Sequence, residues 1–195
     1  MTLHAGVESE VNQSLNLITV AGNYPSERSP QIGAFVHVLM RDMRAIGAKP
    51  TVIAPERVFN VVSRTHGYRL APAVEMLEGL EIRRPRFLSL SNKSLPFGIS
   101  TFSWTVAAFE RAVRRGVRSL RLGPDLCYGH FLYPAGLSAQ RLARTLEVPS
   151  VVALGESSFE HYERHMGLSR VRQDLAGFAK VVAVSSGIIE LKFAW

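Results

Sequence analysis

Residues Pro124 to Gly136 read PDLCYGHFLYPAG, and this stretch decides the fold. Asp125 to Gly129 suits a short strand that delivers His130 to its C-terminal end; Pro134 and Gly136 then open a helix. In open α/β sheets ligands bind outside the carboxyl ends of the strands, so a histidine placed there can meet one.

The same alternation extends to both sides. Upstream, Asn16 to Val20 reads as a buried strand, and Asn23 to Pro30 (NYPSERSP) as a loop of turn formers. Ile32, Phe35, Val36, Leu39, Met40, Met43 and Ile46 then recur at helical spacing as one apolar stripe. Ser29 suits its N-cap, Pro30 its first position and Gly47 its end. Pro50 to Pro55 is the next strand, which completes a βαβ unit. Residues 56–80 read as loop-rich, Glu81 to Arg84 as a third strand and Thr101 to Arg115 as a helix, which Gly116 can break.

Downstream, a helix is expected from about Gly136 to Leu146 and a strand over Ser150 to Leu154. A loop and short helix follow in GESSFEHYERHMG, then a helix near Val171 to Phe178, a strand over Lys180 to Val184 and a helical start at Gly187. Strands alternating with helices predict an α/β fold: a Rossmann-like three-layer α/β/α arrangement with a mostly parallel sheet. The expected organisation is a flexible tail over residues 1–14 and a single domain over 15–195.

Composition narrows the function. Hydrophobic residues make up 47% of the chain, enough for a buried core and against wholesale disorder. Cys127 is the only cysteine, so no internal disulfide can form, which suits a reducing cytoplasm. The polar, acidic start MTLHAGVESEVNQSLN does not resemble a signal peptide, and no apolar run approaches a membrane span. The net charge of +7 favours an anionic partner, and much of it is clustered in Arg83, Arg84, Arg86, Arg111, Arg114, Arg115, Arg118 and Arg121. On a helix, the arginines from Arg111 to Arg121 would lie opposite Trp104, Ala108, Phe109, Ala112 and Val113. That is either a basic amphipathic helix for anionic lipid or a solvated helix face.

Several common uses of such a sheet are excluded. The chain has no G-x-G and so no dinucleotide fingerprint, no G-x-x-x-x-G-K-[ST] and no G-x-S-x-G. It lacks a helix-turn-helix or stacking-aromatic pattern for nucleic acid. His161 and His165 are four apart and can share a helix face, but no third ligand stands at a fixed spacing; the bland reading is an exposed polar helix, and no metal is expected.

The remaining candidates gather at strand ends. Gly33 either lets a phosphate approach the start of the first helix or fits against a neighbouring element. His130 either hydrogen-bonds a hydroxyl or phosphate or caps its strand. Glu156, Ser157 and Ser158 follow the next strand, where a carboxylate can accept a hydroxyl proton and a serine can cap a helix. Ser185 and Ser186 end the strand after that.

GAFVHVLMRDMRAIGAKPTVIAP, DLCYGHFLYPAGLSAQRLARTLEVPSVVALGESS and KVVAVSSGI together resemble the N-terminal, acceptor-side domain of family-four, GT-B-type glycosyltransferases, from about Leu17 onward. The resemblance implies a retaining, metal-independent transfer in the cleft between this domain and a second one that holds a nucleotide-sugar, a co-substrate rather than a cofactor. It implies that Gly33 approaches the donor diphosphate, that His130 lines the cleft and that Gly155 to Ser158 form the matching loop; with it, the expected site has His130 and Glu156 as catalytic residues and Gly33, Tyr133, Gly155, Ser157, Ser158 and Ser185 as substrate-binding ones. Gly155 to Ser158 stand where many members carry His-Gly-Ser-Asp, so the loop departs from the pattern at its His and its Asp, and Glu156 is the candidate substitute. The donor-binding domain has no counterpart in these residues. The expectation is therefore a truncated copy, or a subunit that docks on a separate donor domain, with Phe193 and Trp195 in need of cover. The acceptor would be a glycan or lipid-linked sugar, and the site of action the cytoplasm or the inner membrane face. The alternative is a non-catalytic glycan- or partner-binding module, or a truncated inactive remnant.

Overall fold

A computed structural model describes residues 14–27, 29–59, 70–89, 101–118, 120, 123–155 and 166–184. Five of its strands carry few polar residues: β1 (Asn16–Ala21), β2 (Lys49–Ile53), β7 (Leu126–His130), β8 (Ser150–Leu154) and β9 (Lys180–Ala183). Sequences such as NLITVA and SVVAL, rich in β-branched residues without strict alternation, suit strands covered on both faces. The others are β3 (Glu56–Phe59), β4 (Val74–Leu77), β5 (Leu80–Arg83) and β6 (Arg86–Leu88). Seven strands form one sheet in the order β4-β5-β2-β1-β7-β8-β9, parallel except for the edge strand β4; β3 and β6 pair separately.

Among the described residues four α-helices pack on the sheet: α1 (Ala34–Ala45), α2 (Thr101–Val117), α3 (Leu137–Leu146), which a π-helical turn at Leu132–Gly136 precedes, and α4 (Leu168–Ala176). Val36 and Met40 of α1 meet Leu17, Val52, Leu80 and Ile82 on one face of the sheet. Phe109 and Val113 of α2 and Ala139 and Leu142 of α3 meet Ile18, Val20 and Ile53 on the other, and α4 adds Val171 and Leu175 there. Helices on both faces make this the Rossmann-like three-layer α/β fold that the alternation predicts. Side chains as buried as Met40, Ile53 and Leu80 contribute about 1.5–3 kcal/mol each.

Two local features position the ends of the strands. Gly129 of β7 faces Gly136 so closely that a Cβ on Gly129 would lie 2.4 Å from the Gly136 Cα. The start of α3 is thereby pressed onto β7. Glu78 and Gly79, both at positive φ, form the two-residue turn of the β4–β5 hairpin, a conformation that favours the right-handed twist of paired strands.

Several expectations are corrected. Helix α1 begins at Ala34 with Gly33 as its N-cap, because Gly33 is left-handed and Ser26 and Ser29 close a turn of their own ahead of it. Of the apolar stripe, Val36 and Met40 are buried and Met43 half-buried, while Ile32, Phe35, Leu39 and Ile46 face solvent. Gly116 does not break α2; it brings the helix against Ile53 and Pro85, which a Cβ would meet at 3.1 and 3.2 Å. Residues 56–80 hold β3 and β4 rather than loop alone. The expected tail, except for Ser14, lies outside the described residues, as do the helical start at Gly187 and both Phe193 and Trp195.

Candidate functional site at the sheet switch point

From β1 the chain winds outward to β2 in one direction, and the later strands β7, β8 and β9 continue in the other. The crevice between the carboxyl ends of β1 and β7 is therefore the topological switch point, where an open α/β sheet offers room for a ligand. His130 ends β7 there, in register with Ala21 on β1 and Ala153 on β8. The strand runs one residue further than expected, and Asp125 stays outside it, accepting hydrogen bonds from the Asn16 backbone (2.7 Å) and side chain (3.1 Å).

His130 is 7% exposed and packed among aromatic rings. Phe35 from the first turn of α1 stands 5.0 Å away between centroids and Phe131 stands 4.6 Å away. Tyr128 Oη lies 2.8 Å from His130 Nδ1. Burial pushes the Tyr128 phenol above its ordinary range and pulls the His130 imidazole down to about 4. At neutral pH both groups are uncharged, and the imidazole nitrogen is the better acceptor of the pair. Tyr128 therefore donates to Nδ1, which leaves the imidazole proton on Nε2, and Nε2 has no hydrogen bond among the described residues. Such a group donates a hydrogen bond to a ligand oxygen; it is poorly matched to proton transfer near pH 7.

Phe131 carries backbone strain. Its φ of 68° and ψ of 150° fall where residues other than glycine are rarely found. Two hydrogen bonds hold it there: its N–H donates to Ala153 O at 2.9 Å, and its carbonyl accepts from the Gly136 N–H at 2.9 Å. The strained residue follows His130 directly and presents its ring to both His130 and Phe35.

Gly33 is buried at the head of α1 with φ +72°. A Cβ there would lie 2.5 Å from the Asn23 carbonyl oxygen, so the close approach that requires glycine is to the loop after β1. Gly155 follows β8, and its Cβ position is 3.2 Å from the Phe131 ring and 3.1 Å from Val184 after β9. The structure thus gathers Gly33, His130 and Gly155 on one edge of the sheet. Tyr133 is elsewhere: its ring packs in the α2–α3–α4 core against Phe102, and its hydroxyl donates to Asp174 at 2.6 Å. Glu156, Ser157, Ser158, Ser185, Ser186, His161 and His165 lie outside the described residues. Among the described residues no group of three or more acidic, histidine or cysteine side chains could hold a metal. Burial pushes the Cys127 thiol up to about 12, so it is no nucleophile.

Sequence reasoning missed a second tyrosine–histidine pair that fixes the loop after β1. Tyr24 Oη lies 2.8 Å from His37 Nδ1, and His37 Nε2 lies 3.3 Å from Glu78 in the β4–β5 turn. Beside them Arg84 is buried; it donates to the Pro25 carbonyl at 2.7 Å and to Glu75 at 3.1 Å. Much of the expected arginine patch is spent in this way. Arg83 pairs with Glu81 and Arg86 with Glu56.

Comparison of the sequence with models of known families, and with curated proteins, returns no match.

Proposed function

We propose that this chain is the acceptor-side domain of a GT-B-type glycosyltransferase, acting with a donor-binding domain that carries the nucleotide-sugar. The observation that supports this best is a neutral His130 at the switch point, its tautomer set by Tyr128, on the same sheet edge as Gly33 at the head of α1. In this reading His130 Nε2–H donates to an oxygen of the sugar or its phosphate, and the Gly33 turn brings backbone close to the diphosphate. Catalysis then comes from positioning and from stabilising the leaving group, with no proton taken by His130. Glu156, two residues after β8 in the sequence, orients a sugar hydroxyl in this reading.

A second reading, a glycan-binding module without turnover, is favoured by the low affinity of His130 for a proton. One experiment addresses both. Amide spectra of the labelled protein are recorded with a panel of nucleotide-sugars and sugar acceptors, and transfer is then assayed with a donor-binding domain added. The transferase reading expects shifts at Gly33, His130 and Gly155, transfer only in the mixture, and loss of both in His130→Ala. Shifts without transfer leave the binding module, and no shift with any sugar defeats both. Tyr128→Phe separates positioning from bulk structure: the nitrogen shifts of His130 should move toward mixed tautomers, and affinity should fall without loss of the fold.

A further inference from the structure

We propose that one face of α2, built on Trp104, Arg111, Arg115 and Arg118, docks on an anionic lipid bilayer. The helix buries Phe102, Val106, Phe109, Ala112 and Val113 against the sheet and α3, which consumes its apolar stripe. Trp104 is not in that stripe. It is 55% exposed, and at i, i+7 and i+14 it falls in line with Arg111 and Arg118, on the arginine side rather than opposite to it. Arg115 lies in the same row, and the turn to Arg118 continues the helix through its N–H to the Arg114 carbonyl at 3.2 Å. The row from Trp104 to Arg118 runs about 21 Å.

Charge complementarity identifies the partner. The only acid of the helix, Glu110, is taken by Arg114 at 2.6 Å and by Arg141. Arg115 donates to the Arg86 carbonyl at 2.7 Å, which leaves its charge uncancelled, and Arg111 and Arg118 have no ion pair among the described residues. Three cations without counter-charge then share a face with one indole, a ring whose apolar body and N–H suit the boundary of headgroups and acyl chains. Single-stranded nucleic acid would call for several aromatics interleaved with the cations, and this row has one. None of Trp104, Arg111, Arg115 and Arg118 takes part in the contacts of His130 described above, so the proposal does not rest on the transferase reading.

The test is flotation of the full chain with vesicles of mixed phosphatidylglycerol and phosphatidylcholine, against vesicles of phosphatidylcholine alone. A Trp195→Phe background leaves Trp104 as the only indole. Binding to the anionic vesicles alone, with a blue shift of Trp104 emission, is expected. Arg111→Gln and Arg118→Gln should each weaken it about five-fold. Trp104→Ala should weaken it further, and all three side chains are exposed, so melting curves should be unchanged. Equal binding to both vesicles, unaltered binding in the arginine variants, or tighter binding to DNA than to vesicles would each overturn the proposal.

Discussion

Tyr128 Oη and His130 Nδ1 lie 2.8 Å apart on the same face of β7, two residues apart in sequence. That spacing is the period of a strand, so both side chains point the same way and the phenol is held where it can set the imidazole tautomer. The outcome is a histidine whose chemistry is fixed before any ligand arrives.

The buried imidazole makes stability depend on acid. In the unfolded chain His130 takes up a proton near its ordinary 6.5, whereas in the fold it does so only near 4. Between those values the unfolded state binds more protons, so stability falls as the pH drops from 6.5 toward 4 and levels off below. Urea titrations at pH 7 and pH 4.5 should differ by about 2 kcal/mol from this group. His130→Asn should remove that share of the difference. An unchanged pH dependence in the variant would show that the imidazole titrates normally in the fold.

Much of this architecture was legible in the sequence. The strands around Val20, Val52 and Val152 were readable because β-branched runs bounded by glycine and proline have few other uses, and the one that ends at His130, which has no β-branched residue, from its place between Pro124 and the Pro134–Gly136 helix opening. Edge strand β4 was not, because its hairpin turns at Glu78-Gly79 and Val74 and Met76 face solvent without a clean apolar pattern. Position alone pointed to His130, Gly33 and Gly155. Tyr128 could also have been found, since a residue two before a candidate on one strand shares its face. The contacts of Phe35 with His130, and of Arg84 with Pro25, join residues far apart in the chain, and no local pattern encodes them. Trp104 was misplaced because an aromatic residue was assigned by type to the buried stripe, although its spacing from Arg111 and Arg118 puts it among the arginines.

The backbone of Phe131 supplies a direct readout of strain at the site. Phe131→Ala and Phe131→Gly both delete the ring and its contacts with Phe35 and His130. They differ in that only glycine adopts φ 68° and ψ 150° without penalty. Glycine should therefore be the more stable of the two by about 1–3 kcal/mol, the reverse of what would hold in a helix. Urea denaturation of the two variants checks this, and equal stabilities would mean that the backbone relaxes once the ring is gone.

Gly33 and Gly47 bracket α1 and form a controlled comparison. Both have positive φ, +72° and +100°, so alanine strains the backbone at either position. At Gly47 nothing lies within 4 Å of the added Cβ, and the substitution should cost about 1 kcal/mol. At Gly33 the same carbon would meet the Asn23 carbonyl oxygen at 2.5 Å and the Tyr24 nitrogen at 3.0 Å, which are backbone atoms with little room to yield. Overpacking then adds to the strain, for a total of about 2–4 kcal/mol. The loop that must move carries Tyr24, which is tied through His37 to Glu78, so the damage should reach the β4–β5 turn as well. Amide shifts of Gly33→Ala should therefore change at Tyr24, His37 and Glu78, whereas those of Gly47→Ala should change only near residue 47. Similar losses in the two variants would mean that φ alone, and not the contact with Asn23, requires glycine at the head of α1.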